Sequence, residues 1–139
     1  MDLFSSAWMT RSLGEAVSAL YLEQDAGLFA GGWNGCVKSW DSDGELQWTA
    51  KLSDRVTVLQ REGDVLFATA GLHVACIDIS DGSVRWNHAL EGSADSITVF
   101  EDSLYAVSSV YDIEHNDFLE SAVWNFSFDG ELRWIHRMD

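Results

Sequence analysis

Three observations predict an all-β chain built of β-propeller blades. The stretch "SDGELQW" at 42–48 returns as "SDGSVRW" at 80–86 and as "FDGELRW" at 128–134, so an Asp-Gly turn followed by Trp occurs three times in 139 residues. Trp8, Trp48, Trp86 and Trp134 stand 40, 38 and 48 residues apart, close to the length of a four-stranded blade. Between these markers apolar residues alternate or run together over strand length, divided by turn residues, and no helical periodicity competes. The expectation is three four-stranded antiparallel blades plus an extra N-terminal strand, a partial propeller completed by oligomerisation.

The elements follow in order. Residues 1–13 read as the extra strand, because "LFSSAWMTRSL" places Trp8 where a fourth-strand Trp belongs, with no Asp-Gly turn ahead of it. Blade 1 (14–52) takes its strands from "AVSALYL", "GLFAGG", "CVKSW" and "ELQWTA". Blade 2 (53–90) takes them from "RVTVLQ", "VLFATA", "HVACID" and "SVRWNHA". Blade 3 (91–139) takes them from "SITVF", "SLYAVSS", "AVWNFSF" and "ELRWIHR". Asp43-Gly44, Asp81-Gly82 and Asp129-Gly130 fall between third and fourth strands, where Gly supplies the positive φ of a tight hairpin. Pro is absent, as suits a chain whose N–H groups are used in sheet ladders.

Segments such as "LFAGGWNGCVKSWDSDGELQW" resemble the repeat of the PQQ-like, or quinoprotein-type, β-propellers, with its glycine-rich turn, aspartate and Gly-x-x-x-Trp. The resemblance covers all three repeats, and it implies that Trp48, Trp86 and Trp134, with Gly44, Gly82 and Gly130, lock each blade to its neighbour. Some members of that family are dehydrogenases holding a quinone over calcium. Their vicinal cysteines are missing here, since Cys36 and Cys76 lie far apart, and no Ser-His-Asp order or phosphate loop replaces them. The expected protein is not an enzyme and carries no cofactor.

Composition narrows the partners. Against 8 Lys and Arg stand 23 Asp and Glu, a net charge of −15, which disfavours nucleic acid and anionic lipid and fits a salt-adapted (halophilic) acidic surface. No apolar run is long enough for a signal peptide or a bilayer span, so a soluble cytoplasmic protein is expected.

Propellers close with four to eight blades, and three leave two apolar faces in water. A homo-oligomer, with a dimer of six blades favoured, is the simplest closed solution; a fragment of a larger repeat protein is the alternative. The function expected is a non-catalytic scaffold or protein-interaction module for an unidentified protein partner, with a small-ligand or divalent-cation-binding propeller as the other reading.

Two places could carry that binding. Trp33, in "GGWNGC", sits on a second-to-third strand connection outside the repeat pattern. The third repeat is ten residues longer than the second, and the excess is an inserted loop at 110–120, "VYDIEHNDFLE". It reads as a long hairpin with a solvated acidic tip or as a recognition loop through Tyr111, His115 and Phe118. Asp112, Glu114 and Asp117 are weak metal candidates, because their spacing matches no calcium loop and the turn glycine is missing.

Overall fold

Asp-Gly turns and short polar connections divide the chain into strands alone. The computed structural model describes residues 11–23 and 27–138; the extra strand expected around Trp8 lies outside them. Blade 1 consists of β1 (Val17–Glu23), β2 (Gly27–Gly32), β3 (Cys36–Trp40) and β4 (Leu46–Lys51). Blade 2 consists of β5 (Val56–Glu62), β6 (Val65–Ala70), β7 (His73–Asp78) and β8 (Val84–Ala89). Blade 3 consists of β9 (Ser93–Phe100), β10 (Ser103–Asp112), β11 (Asp117–Ser127) and β12 (Leu132–Met138). Each is an antiparallel meander of four strands in chain order, and β1, β5 and β9 form the inner edges where successive blades meet.

The repeated turns are built alike. Gly44, Gly82 and Gly130 have φ of 80°, 79° and 89°, a region that costs a side chain but not glycine. A polar residue at the end of each third strand holds the turn. The Asp41 carboxylate accepts the N–H groups of Asp43 and Glu45, both at 2.9 Å. Asp78 accepts the Ser80 N–H at 2.8 Å and its hydroxyl at 2.6 Å, and the Ser127 hydroxyl accepts the Glu131 N–H at 3.1 Å.

Residues 110–120 do not form an irregular loop. The ladder runs on, pairing Val110 with Glu120, Tyr111 with Phe118 and Asp112 with Asp117 after a bulge, so only Ile113 to Asn116 make the turn. Val, Tyr and Phe are strong strand formers and extend β10 and β11 outward, while Asn116 adopts φ 53° to close the hairpin.

Register shows how the blades stack. On the front of blade 1, Tyr21, Phe29, Ser39 and Trp48 lie side by side across the four strands. Gln60, Phe67, Cys76 and Trp86 form the same row in blade 2, and Thr98, Tyr105, Asn125 and Trp134 form it in blade 3. On the back, Leu20, Leu59 and Ile97 are equivalent, each beside a small residue, Ala30, Ala68 or Ala106. Front Phe and Trp of one blade pack on back Leu, Ile and Ala of the next, giving one core between blades 1 and 2 and a second between blades 2 and 3. Large residues meet small ones across the interface, which is how facing layers reach interior packing density.

Candidate interaction face

Because each blade is an up-down meander, the second-to-third strand turns and the connections between blades emerge at the same end. That end collects Trp33 from blade 1, Leu72 from blade 2 and the β10–β11 hairpin from blade 3. The Asp-Gly turns lie at the other end.

The Trp33 turn is fixed from below. Glu15 Oε1 accepts the N–H groups of Asn34 at 2.9 Å and Cys36 at 3.1 Å, and it stands where a Cβ on Gly32 would be. The indole is left 53% exposed, with the guanidinium carbon of Arg55 lying 4.4 Å from its ring centroid. This is a cation–π contact. Beside it opens a cavity of about 520 Å³ lined by Asp54, Arg55, Thr57, Leu72 and Asp95 among others.

Both carboxylates on the cavity wall are held in place. Asp54 Oδ1 accepts the Arg55 N–H at 2.7 Å, and the carboxylate packs where a Cβ on Gly71 would stand. Asp95 accepts the Ser93 hydroxyl at 2.6 Å and the hydroxyl of Ser109, at the base of the long hairpin. Asp95 thereby joins the cavity to the hairpin.

At the hairpin tip Tyr111 meets Phe118 edge to face, with ring centroids 5.1 Å apart, and the Tyr111 hydroxyl bonds to Asn116. Asp112 turns back on its own loop, accepting the N–H of Glu114 at 2.9 Å and bonding the His115 ring. That bond to His115 first, then the backbone N–H groups of Glu114 and His115, hold the Asp112 carboxyl below its ordinary range. Asp117 accepts the N–H of Phe118 at 2.8 Å. Among the described residues no three His, Cys, Asp or Glu side chains gather as metal ligands, so Asp112, Glu114 and Asp117 do not form a cage.

Of the residues singled out from sequence, Trp33 thus lines the cavity, while Tyr111, His115 and Phe118 share the hairpin tip. Arg55, Leu72, Asp54 and Asp95 were missed. Asp54, Arg55 and Leu72 come from the second repeat and Asp95 from the third, and only stacking of the blades brings them to one opening with Trp33 of the first.

The locking residues divide. Trp48 donates its indole N–H to Ile79 O at 2.6 Å and lies flat on Gly82, whose hypothetical Cβ would fall 2.7 Å from the ring. Trp86 repeats this with Phe128 O at 2.8 Å and Gly130, at 2.6 Å from the hypothetical Cβ. Trp134 does not lock anything within the described residues. No described blade faces it, and it is 45% exposed, tilted against Tyr105 at 5.9 Å between centroids.

These blades define a β-propeller repeat protein. The family model described as outer membrane protein assembly factor BamB, PQQ_2, matches residues 33–139, and the chain belongs to that family. Among solved structures, the computationally designed Ika4 protein matches with TM-score 0.62 at 17% identity over 94% of this chain and 100% of its own. A europium-containing methanol dehydrogenase matches with TM-score 0.76 at 12% identity, over 94% of this chain and 26% of its own. BamB from Moraxella catarrhalis matches with TM-score 0.53 at 13% identity, over 88% of this chain and 65% of its own. The chain thus spans about a quarter of the dehydrogenase and just under two thirds of that BamB. Comparison with curated proteins finds no match.

Proposed function

We propose that the chain is a non-catalytic propeller scaffold, closed into a ring by self-association, that offers its connector face to a protein partner. The observation that carries this reading is the state of its two end faces. Trp48, with a blade in front of it, is 6% exposed, whereas Trp134 in the same row is 45% exposed. At the other end Leu20 is 61% exposed, against 5% for its equivalent Leu59 and 8% for Ile97. Leu13 already packs on Ala30 and Trp40 at the outer part of that back face, and a groove of about 310 Å³ remains beside Val17, Leu20 and Leu28. The chain therefore carries both halves of an interface that it makes twice internally. Exposed apolar faces of this kind mark association sites.

Light scattering on the intact protein tests ring closure. Twice the chain mass is expected, and Trp134→Asp should return it to a monomer while leaving circular dichroism unchanged. A folded monomer at all concentrations would sink self-completion. Replacing residues 111–119 by an Asp-Gly turn tests the partner face, since a captured protein should then be lost. A second reading, a small ligand bound in the cavity beside Trp33, is favoured by that cavity alone.

A further inference from the structure

The cavity and the hairpin together have a definite chemistry. The cavity wall holds two carboxylates, Asp54 and Asp95, against one cation, Arg55, and an indole that already carries a guanidinium on its face. Both carboxylates are oriented by hydrogen bonds before anything binds, so a cation entering there would not have to reorganise them. Leu72 on the cavity wall is 52% exposed, and on the hairpin that extends beyond Ser109 at the same end Ile113 is 86%, Phe118 63% and Leu119 59% exposed. Asp112, Glu114 and Asp117 belong to the same hairpin, and the chain as a whole carries −15. Such a field repels phosphates, anionic lipid and acidic proteins, and it steers basic ones toward it.

We propose that the connector face docks a basic, amphipathic segment of a partner protein. One lysine or arginine enters the cavity beside Trp33, and apolar side chains of the same segment rest on Leu72 and the hairpin tip. This rests on the partner-face part of the proposed function and is independent of ring closure. Trp33 and Leu72 act as anchors, Asp54 and Asp95 select for positive charge, and the apolar contacts distinguish the segment from a merely polybasic one.

The test uses the intact protein and two short fluorescein-labelled peptides, one alternating lysine with leucine and the other alternating glutamate with leucine, read by anisotropy. The lysine peptide should bind and the glutamate peptide should not. Trp33→Ala with Leu72→Ser should weaken binding at least about tenfold, the loss typical of truncated anchors. Asp95→Asn should weaken it and flatten its salt dependence. Asp43→Asn with Asp81→Asn removes two charges from the opposite end and should leave affinity within about twofold, because screening confines charge effects to about 10 Å. Equal binding of both peptides, or equal weakening by the opposite-end variant, would overturn the proposal. Assembly mass on the same samples separates the two readings. A monomer that still discriminates the peptides sinks closure alone, and a ring that binds them alike sinks the docking chemistry alone. A partner lost on shortening the hairpin, with indifference to the lysine peptide, would keep the partner face and refute its basic specificity.

Discussion

The indole of Trp48 lies on Gly82 of the next blade, with its N–H bonded to Ile79 O at 2.6 Å, and Trp86 meets Gly130 in the same way. Glycine is required twice over at these turns, once for φ near 80° and once for the ring that covers it. Gly82→Ala and Gly130→Ala should each cost about 2–4 kcal/mol in urea denaturation, adding backbone strain to overpacking. Gly63 has φ 59° but nothing within 4 Å of a Cβ. Gly63→Ala should therefore cost only about 1 kcal/mol.

The indole hydrogen bond itself can be separated from the ring. Trp86→Phe keeps an aromatic face on Gly130 and leaves Phe128 O without its donor. A loss of about 1–3 kcal/mol in chemical denaturation is expected, most of it from the unsatisfied carbonyl and the smaller ring. Trp134→Phe, which removes no such bond, should leave the denaturation midpoint of the monomer unchanged.

Acid should remove a stabilising contribution from the second blade. Asp78 is held down to about 2, mainly by the Ser80 hydroxyl and then by Arg85, whose guanidinium reaches it at 2.8 Å. The folded-state value lies below the ordinary 3.8, so this carboxylate stabilises the fold above 3.8. That contribution is lost as the pH falls through about 2. Thermal melting followed from pH 5 to 2 should fall less steeply for Asp78→Asn than for the parent. Equal slopes would remove Asp78 from the account.

The two thiols should differ in reactivity. Cys76 is fully buried between blades 2 and 3, and burial pushes its thiol up to about 11. Cys36 is only partly buried, so one thiol per chain should react with a disulfide reagent near pH 8 and the second only in denaturant. Two fast thiols in the native protein would contradict the packing of the second core.

Calcium should give no heat above dilution in calorimetry with the intact protein. Asp112 spends its oxygens on the turn N–H groups and on His115, and Asp117 accepts the N–H of Phe118. A saturable heat abolished by Asp112→Ala with Asp117→Ala would restore the hairpin as a cation site.

The blades and their locks were legible because they repeat. An Asp-Gly turn needs its glycine, strand alternation declares which side is buried, and Trp at a fixed offset recurs wherever a neighbouring blade must be covered. Trp33 and the aromatic pair Tyr111 and Phe118 stood out because they interrupt that pattern. The cavity was not legible. Asp54, Arg55, Leu72 and Asp95 look like ordinary turn and strand-edge residues in their own repeats, and their sequence neighbours say nothing of the indole they face.

Sequence alone therefore determined the blade, since every force that shapes it acts between residues close in the chain or at equal repeat positions. Only the tertiary structure decided what stands at the connector face and that Trp48 and Trp86 are seated on the glycine of the next blade. Those depend on how blades stack, a relation between repeats that no single repeat encodes.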